Sequence, residues 1–70
     1  MEKFGGKLRL LRERRGLTVR ELGKMLSVHN TYVSQMESGK KTPNVAMVTK
    51  IADIFGVTVD QLVRDSEDLP

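Results

Sequence analysis

The sequence predicts an all-α fold, a compact bundle of five short helices in a single domain of residues 1–70. Apolar residues recur at helical spacing, as at i, i+4 and i+7 from Phe4, and no segment has the strict alternation of a half-buried strand. Thr18 and Thr58 each precede a Glu or Gln by three residues, which is the capping-box pattern of a helix start. A chain of this length buries about 60% of its unfolded surface on folding, so one small domain is expected.

The first helix is predicted over residues 4–15, where Phe4, Leu8 and Leu11 form one apolar face. Gly16 is expected to end this helix, and the two arginines before it suit the negative end of the helix dipole. Leu10 falls outside the apolar stripe and is expected to be exposed.

The second helix is predicted over residues 19–26, with Thr18 as its N-cap and Glu21 completing the capping box. The break that follows is only about three residues long, so it is a tight turn, with Val28 expected beneath it. Gly23 lacks a side chain where the next helix would approach. This pattern predicts two short helices packed across a turn.

The third helix is predicted over residues 30–38, closed by Gly39. His29 occupies the N-cap position and is expected to cap poorly, because histidine is not among the preferred N-cap residues. The outer face carries short, uncharged hydrogen-bonding side chains of the type that contact base edges, Asn30, Thr31, Ser34 and Gln35.

Asn44 is predicted to cap a fourth helix that Gly56 ends, with a buried face made of Val45, Val48, Ile51, Ala52 and Phe55. Thr58 and Gln61 form the second capping box and open a short fifth helix with Val59, Leu62 and Val63. The acidic tail, residues 65–70, is predicted to be loose.

Charge is distributed unevenly along the chain. Residues 1–41 hold ten Lys or Arg and four Asp or Glu, a net of +6, whereas residues 42–70 hold two and five, a net of −3. A basic half that can face a polyanion is typical of a DNA-binding protein. The alternative is that these charges belong to an ordinary solvated surface. There is no cysteine, no apolar run of membrane-spanning length and no signal-peptide pattern, so a cytoplasmic protein is expected.

An ordered set of residues resembles the phage-repressor/Cro (Xre) family of helix-turn-helix transcriptional regulators from about Gly6 to Arg64. It consists of Arg12, Gly16 to Thr18, Glu21, Leu22, Val28, Val33 to Lys40, Pro43, Ile51, Ala52, Gly56 to Val59 and Leu62. Two departures matter. The family usually has Ala at Gly23 and Gly at Ser27, so the turn is expected to be strained, and it usually has a polar residue at Val19.

The resemblance implies a lambda-repressor-like fold and sequence-specific binding of double-stranded DNA, with the helix of residues 30–38 in the major groove. It also implies that Arg12 pairs with Glu37. The regulator would be a repressor or an autoregulatory controller; the alternative is a protein-interaction module, antitoxin-like or coactivator-like. Side chains with a hydroxyl, phenol, imidazole or basic group can position a protein on DNA by binding its phosphates. The candidates are Arg12, Thr18, Arg20, His29, Tyr32, Lys40 and Lys41.

Family members usually bind as twofold dimers, so the resemblance implies a homodimer on a pseudo-palindromic operator. Apolar residues near the end of the chain are the candidate contacts, Val57, Val59, Val63 and Leu69. An enzyme is not expected, because there is no Cys nucleophile, metal-ligand cluster, Gly-rich phosphate loop or convincing carboxylate pair. No cofactor, metal, membrane or small-molecule ligand is indicated. The sequence leaves open the operator, and whether the protein is a phage repressor, a restriction-modification controller or a chromosomal regulator.

Overall fold

The computed structural model describes all 70 residues, which form five α-helices and no strand. The helices are Phe4–Arg14 (α1), Val19–Leu26 (α2), Asn30–Ser38 (α3), Val45–Phe55 (α4) and Val59–Val63 (α5). The predicted all-α, five-helix fold is confirmed, and the first helix ends one residue earlier than predicted. None of the helices combines the length and apolar character that crossing a membrane requires.

Side-chain caps fix the starts of the helices that follow loops. In the first capping box, Thr18 Oγ1 accepts from the backbone N–H of Glu21 at 3.0 Å, and Glu21 Oε1 accepts from the backbone N–H of Thr18 at 2.9 Å. Thr58 and Gln61 repeat this exchange at the start of α5. Asn44 Oδ1 accepts a backbone N–H of the first turn of α4 at 2.8 Å. All three predicted caps are therefore present.

One hydrophobic core joins all five helices. It contains Phe4, Leu8, Leu11, Leu22, Leu26, Val33, Met36, Val48, Ile51, Ala52, Phe55 and Leu62. The prediction that Val45 is buried is wrong, since this residue is 82% exposed. Its spacing continues the apolar stripe of α4, but Val45 is the first residue of the helix and lies beyond the edge of the core.

Lys7 is a buried charged residue that the sequence did not predict, with only 9% of its surface exposed. Its Nζ donates to the backbone oxygens of Gln61 at 2.6 Å, Arg64 at 2.9 Å and Glu67 at 2.6 Å. A carbonyl partner is thus available to every ammonium hydrogen, and no buried polar side-chain atom in the protein lacks a hydrogen bond. Lys7 thereby ties α1 to the end of α5 and the segment after it.

The carboxyl-terminal residues differ from the predicted loose tail, because they contact α1 and the residues before it. The Asp65 carboxylate accepts from the backbone N–H groups of Lys3 at 2.9 Å and Glu2 at 3.1 Å. These bonds, that from Lys3 above all, hold the pKa of Asp65 below its usual value. Arg14 Nη1 donates to the backbone oxygen of Pro70 at 2.9 Å. The tail is therefore held by hydrogen bonds between residues far apart in the sequence. The composition of the tail, from which looseness was predicted, does not indicate such bonds.

Candidate nucleic-acid interface

The tight turn between α2 and α3 depends on one residue in an unfavourable backbone conformation. Ser27 has φ 59° and ψ 40°, and it is the only non-glycine residue with positive φ. This left-handed conformation costs an L-residue roughly 1–2 kcal/mol, so the expected strain is present. It lets the Val28 N–H return to the carbonyl of Gly23 at 2.9 Å, which closes α2 and directs the chain into α3.

Two glycines allow α3 to lie close to both neighbouring helices. A Cβ at Gly23 would lie 2.8 Å from the Val28 carbonyl oxygen, so a side chain there would push the turn away from α2. A Cβ at Gly5 would lie 2.8 Å from the Met36 carbonyl oxygen and would clash with that of Glu37. The first close approach was predicted from the sequence and the second was not. A glycine inside an amphipathic helix, where it is disfavoured, was the available signal for Gly5.

Arg12 and Glu37 fix the carboxyl end of α3 to α1. Arg12 Nε lies 2.7 Å from one carboxylate oxygen of Glu37 and Nη2 lies 3.1 Å from the other, while Nη1 donates to the Leu17 carbonyl at 2.8 Å. The side chains are only 14% and 9% exposed. The hydrogen bond with Glu37 raises the pKa of Arg12, so the guanidinium stays charged. Because each nitrogen already donates within the protein, Arg12 is mainly a scaffold residue.

The N-terminus of α3 is capped by the side chain of His29, a residue expected from its type to be a poor N-cap. Its Nδ1 accepts from the backbone N–H of Thr31 at 3.1 Å, and it also lies 3.0 Å from Thr31 Oγ1. His29 has the extended backbone conformation of an N-cap residue. The imidazole nitrogen therefore replaces the hydroxyl or carboxylate oxygen that usually accepts this bond.

The outer face of α3 presents four polar side chains, of which only that of Thr31 makes a hydrogen bond within the protein. Thr31 and Ser34 are exposed, and Asn30 and Gln35 are partly exposed. The side chains of Asn30, Ser34 and Gln35 make no hydrogen bond within the protein. On the opposite face, Val33 and Met36 are fully buried, which fixes the rotation of the helix about its axis. The structure thus brings all four predicted base-contacting residues onto one accessible helix.

The predicted phosphate-contacting residues differ in how accessible they are. Arg20, Lys40 and Lys41 are exposed and form no ion pair with an acidic side chain. The backbone N–H of Lys41 donates to the Gln35 carbonyl at 3.2 Å, which holds the basic loop against the end of α3. Tyr32 is partly buried, and the Thr18 hydroxyl accepts a capping bond while its own hydrogen remains free to donate. No group of His, Asp and Glu side chains is arranged to hold a metal ion.

Comparison with known proteins gives a family match over most of the chain. Residues 8–62 match the family model HTH_3, described as helix-turn-helix. The HTH-type transcriptional activator BcrR of Enterococcus faecalis is 38% identical over 65 residues, which are 93% of this chain and 32% of the activator. The cryptic phage CTXphi transcriptional repressor RstR of Vibrio cholerae is 38% identical over 65 residues, which are 91% of this chain and 58% of the repressor. The chain therefore spans less than two thirds of the length of these relatives.

A solved structure matches the fold described above. The P22 c2 repressor, crystallised in complex with synthetic operator 9T, superposes with a TM-score of 0.82 at 26% sequence identity. The match covers 87% of this chain and 92% of the repressor chain. The arrangement of the five helices is thus that of a lambda-repressor-like domain.

Proposed function

The chain belongs to the helix-turn-helix family HTH_3, the Xre type indicated by its sequence, and we propose that it is a transcriptional regulator that binds a specific sequence of double-stranded DNA. The observation that carries the proposal is the outer face of α3. Its amides and hydroxyls are accessible and mostly unpaired, and α3 is held by Gly5, Gly23 and the Arg12–Glu37 pair. A rigid helix with such a face suits the major groove. The P22 c2 repressor, which has this fold, was crystallised on operator DNA.

Within this face the side chains have different roles. Asn30 and Gln35 carry amides that can pair with adenine through two hydrogen bonds. Ser34 is short and permits close approach of the helix, while Thr31 contacts a base edge.

The basic residues next to α3 position the protein on the phosphate backbone. Lys40 and Lys41 contact phosphates beyond the end of α3, and Arg20 does so from the first turn of α2. His29, Tyr32 and the Thr18 hydroxyl supply further donors, and Arg12 uses only the hydrogens that Glu37 and Leu17 leave free. With DNA as its partner, we expect the protein to act in the cytoplasm.

We further propose that the protein binds as a homodimer on a pseudo-palindromic operator. A groove of ≈ 360 Å³ is lined by Met1, Pro43, Val45, Val48, Val59 and Val63. Of the four predicted dimer contacts, Val59 and Val63 line this groove, and Val63, Val57 and Leu69 are partly buried against the core. Val45 is a stronger candidate than Val57 or Leu69, since it is almost fully exposed. Twofold pairing would place the half-sites about 34 Å apart.

Selection of duplexes from a randomised pool with the purified protein tests the function. We expect enrichment of one sequence, bound at least about a thousandfold more tightly than a scrambled duplex at the same salt concentration. The variant Asn30→Ala/Gln35→Ala should lose the enrichment, and Thr49→Ala, which changes an exposed side chain of α4, should retain it. Failure to enrich any sequence, with a correctly folded protein, would refute the proposal and favour the protein-interaction alternative.

A further inference from the structure

The contact between His29 and Thr31 determines which atoms carry hydrogen. The Thr31 backbone N–H can only donate, and it donates to His29 Nδ1 at 3.1 Å. Nδ1 must therefore carry a lone pair, and the ring hydrogen must be on Nε2. Thr31 Oγ1 lies 3.0 Å from the same Nδ1. An unprotonated Nδ1 can only accept, so the Thr31 hydroxyl is the donor in this contact and shares the single Nδ1 lone pair with the Thr31 N–H.

This geometry fixes the polarity of the Thr31 hydroxyl toward anything outside the protein. A free hydroxyl rotates to donate or to accept. Here its hydrogen is engaged, and only lone pairs face outward. In the major groove, hydrogens are offered by the exocyclic amino groups of adenine N6 and cytosine N4, whereas guanine and thymine offer oxygen acceptors at O6 and O4.

We propose that Thr31 acts as a hydrogen-bond acceptor that selects a base with an exocyclic amino group, adenine or cytosine, and that His29 is the positioning residue that sets this polarity. The inference rests on the proposed DNA-binding function. It also distinguishes Thr31 from Asn30 and Gln35, whose amides offer both a donor and an acceptor. His29 presents its own Nε2–H as a donor beside the acceptor of Thr31.

Base analogues in the selected operator test the role of Thr31. Each adenine is replaced in turn by purine and each cytosine by 2-pyrimidinone, which removes only the amino group. At one position in each half-site, the native protein should lose roughly 3- to 10-fold in affinity, the worth of one neutral hydrogen bond. Thr31→Val, which keeps the shape of the side chain, should lose nothing at that position, and Thr31→Ser should behave as the native protein.

His29 variants test the positioning role. His29→Asn retains an acceptor and a good N-cap, so it should retain the preference for the amino-bearing base. His29→Ala removes the acceptor, so the Thr31 hydroxyl can rotate. The ratio of the variant's affinities for operators with an amino-bearing base (adenine or cytosine) and with guanine or thymine at that position should fall by about the same factor as in Thr31→Val. Nitrogen NMR of the His29 ring in the free, native protein should show a proton on Nε2 and none on Nδ1.

The outcomes separate this inference from the function on which it rests. The inference is overturned, and the DNA-binding function is not, if no amino group in the selected operator loses its effect on affinity in Thr31→Val. The same holds if Thr31 is coupled to guanine O6 or thymine O4, if His29→Ala keeps the native preference, or if Nδ1 carries the proton. A protein that selects no sequence at all overturns both.

Discussion

Arg12 Nε lies 2.7 Å from Glu37 Oε2, and this bond joins the first helix to the end of the third across 25 residues of sequence. The second guanidinium–carboxylate bond and the bond to the Leu17 carbonyl make Arg12 a three-way junction between α1, α3 and the segment before α2. Because the pair is nearly enclosed, losing one partner leaves the other desolvated without a counter-charge. The orientation of α3 therefore depends on an ion pair at its carboxyl end as well as on its apolar face.

The first prediction removes the charge of this pair. Glu37→Gln should lower the free energy of unfolding by about 1–3 kcal/mol, because the Arg12 guanidinium keeps its burial and loses its carboxylate. Urea denaturation measures the change as a shift in the midpoint. Glu13→Gln is the matched control: it breaks the Arg9–Glu13 pair, whose side chains are 64% and 52% exposed, and should change stability by less than about 0.5 kcal/mol. Equal midpoints for the two variants would contradict the scaffold role of the pair.

The second prediction compares two neighbouring glycines of α1. Gly5→Ala should destabilise the protein by about 1–3 kcal/mol, because the added Cβ meets backbone atoms of Met36 and Glu37 that no rotamer change can move. Gly6→Ala should instead stabilise it by up to about 1 kcal/mol, since nothing lies within 4 Å of that Cβ and alanine favours the helix. Thermal unfolding of the two variants should shift in opposite directions. A rise in the midpoint for both would show that α1 and α3 can separate at little cost.

Local signals in the sequence predicted most of the fold. The boxes at Thr18 and Thr58 and the glycine after α3 gave helix limits close to those observed, because caps act within one turn of the chain. The burial of Lys7 was missed because its partners lie more than fifty residues away, beyond any local pattern. Val45 was misplaced because periodicity indicates a face of a helix and gives no information on where the core ends.

Part of the candidate interface could also be predicted, because it too depends on local patterns in the sequence. The polar face of α3 follows from helical periodicity, and the comparisons confirm the family resemblance that gave it a role. The N-cap position of His29 was predicted, but the bond from its side chain to the Thr31 N–H was not, because residue preferences average over many geometries. The assignment of individual residues to bases or phosphates stays a prediction, since it depends on the DNA.

The third prediction concerns acid stability. The pKa of Asp65 is lowered by the backbone N–H groups of Lys3 and Glu2, so its ionised form stabilises the folded state. This contribution is complete above the ordinary value of 3.8 and is lost as the pH falls through the lowered pKa. Asp65→Asn should thus unfold more easily near neutral pH and lose less stability on acidification to about pH 3 than the native protein does.

Melting curves at a series of pH values measure this difference, and Asp68→Asn is the control within the same tail. The Asp68 side chain accepts no hydrogen bond in the structure, so the control should follow the native profile. Some acid sensitivity should remain in Asp65→Asn, because the Thr18 backbone and side-chain bonds lower the pKa of Glu21 as well. Parallel profiles for Asp65→Asn and the native protein would contradict the anchoring of the tail by Asp65.

The fourth prediction tests the apolar groove as the dimer surface. Val45→Asp should convert a dimer into a monomer in sedimentation velocity at micromolar protein, because it places a charge in the contact. The substitution should leave the fold intact, since the position is 82% exposed and an acidic residue suits the first turn of a helix. Leu10→Asp, at an apolar position 43% exposed on α1, is the control and should remain dimeric. A native protein that is monomeric both free and on DNA would rule the dimer out.

The last prediction separates base recognition from phosphate binding. Gln35→Ala should weaken binding to the selected operator by roughly 1–3 kcal/mol and leave binding to a scrambled duplex nearly unchanged, because it removes an interaction that only one base satisfies. Lys40→Ala should weaken both equally and reduce the slope of log affinity against log salt by about one for each phosphate that the lysine neutralises in the native complex. Arg64→Ala removes the same charge at the end of α5, outside the candidate interface, and should leave the slope unchanged. If Gln35→Ala lowered both affinities alike, or if Lys40→Ala and Arg64→Ala gave the same slope, the assignment of these residues to bases and phosphates would be wrong.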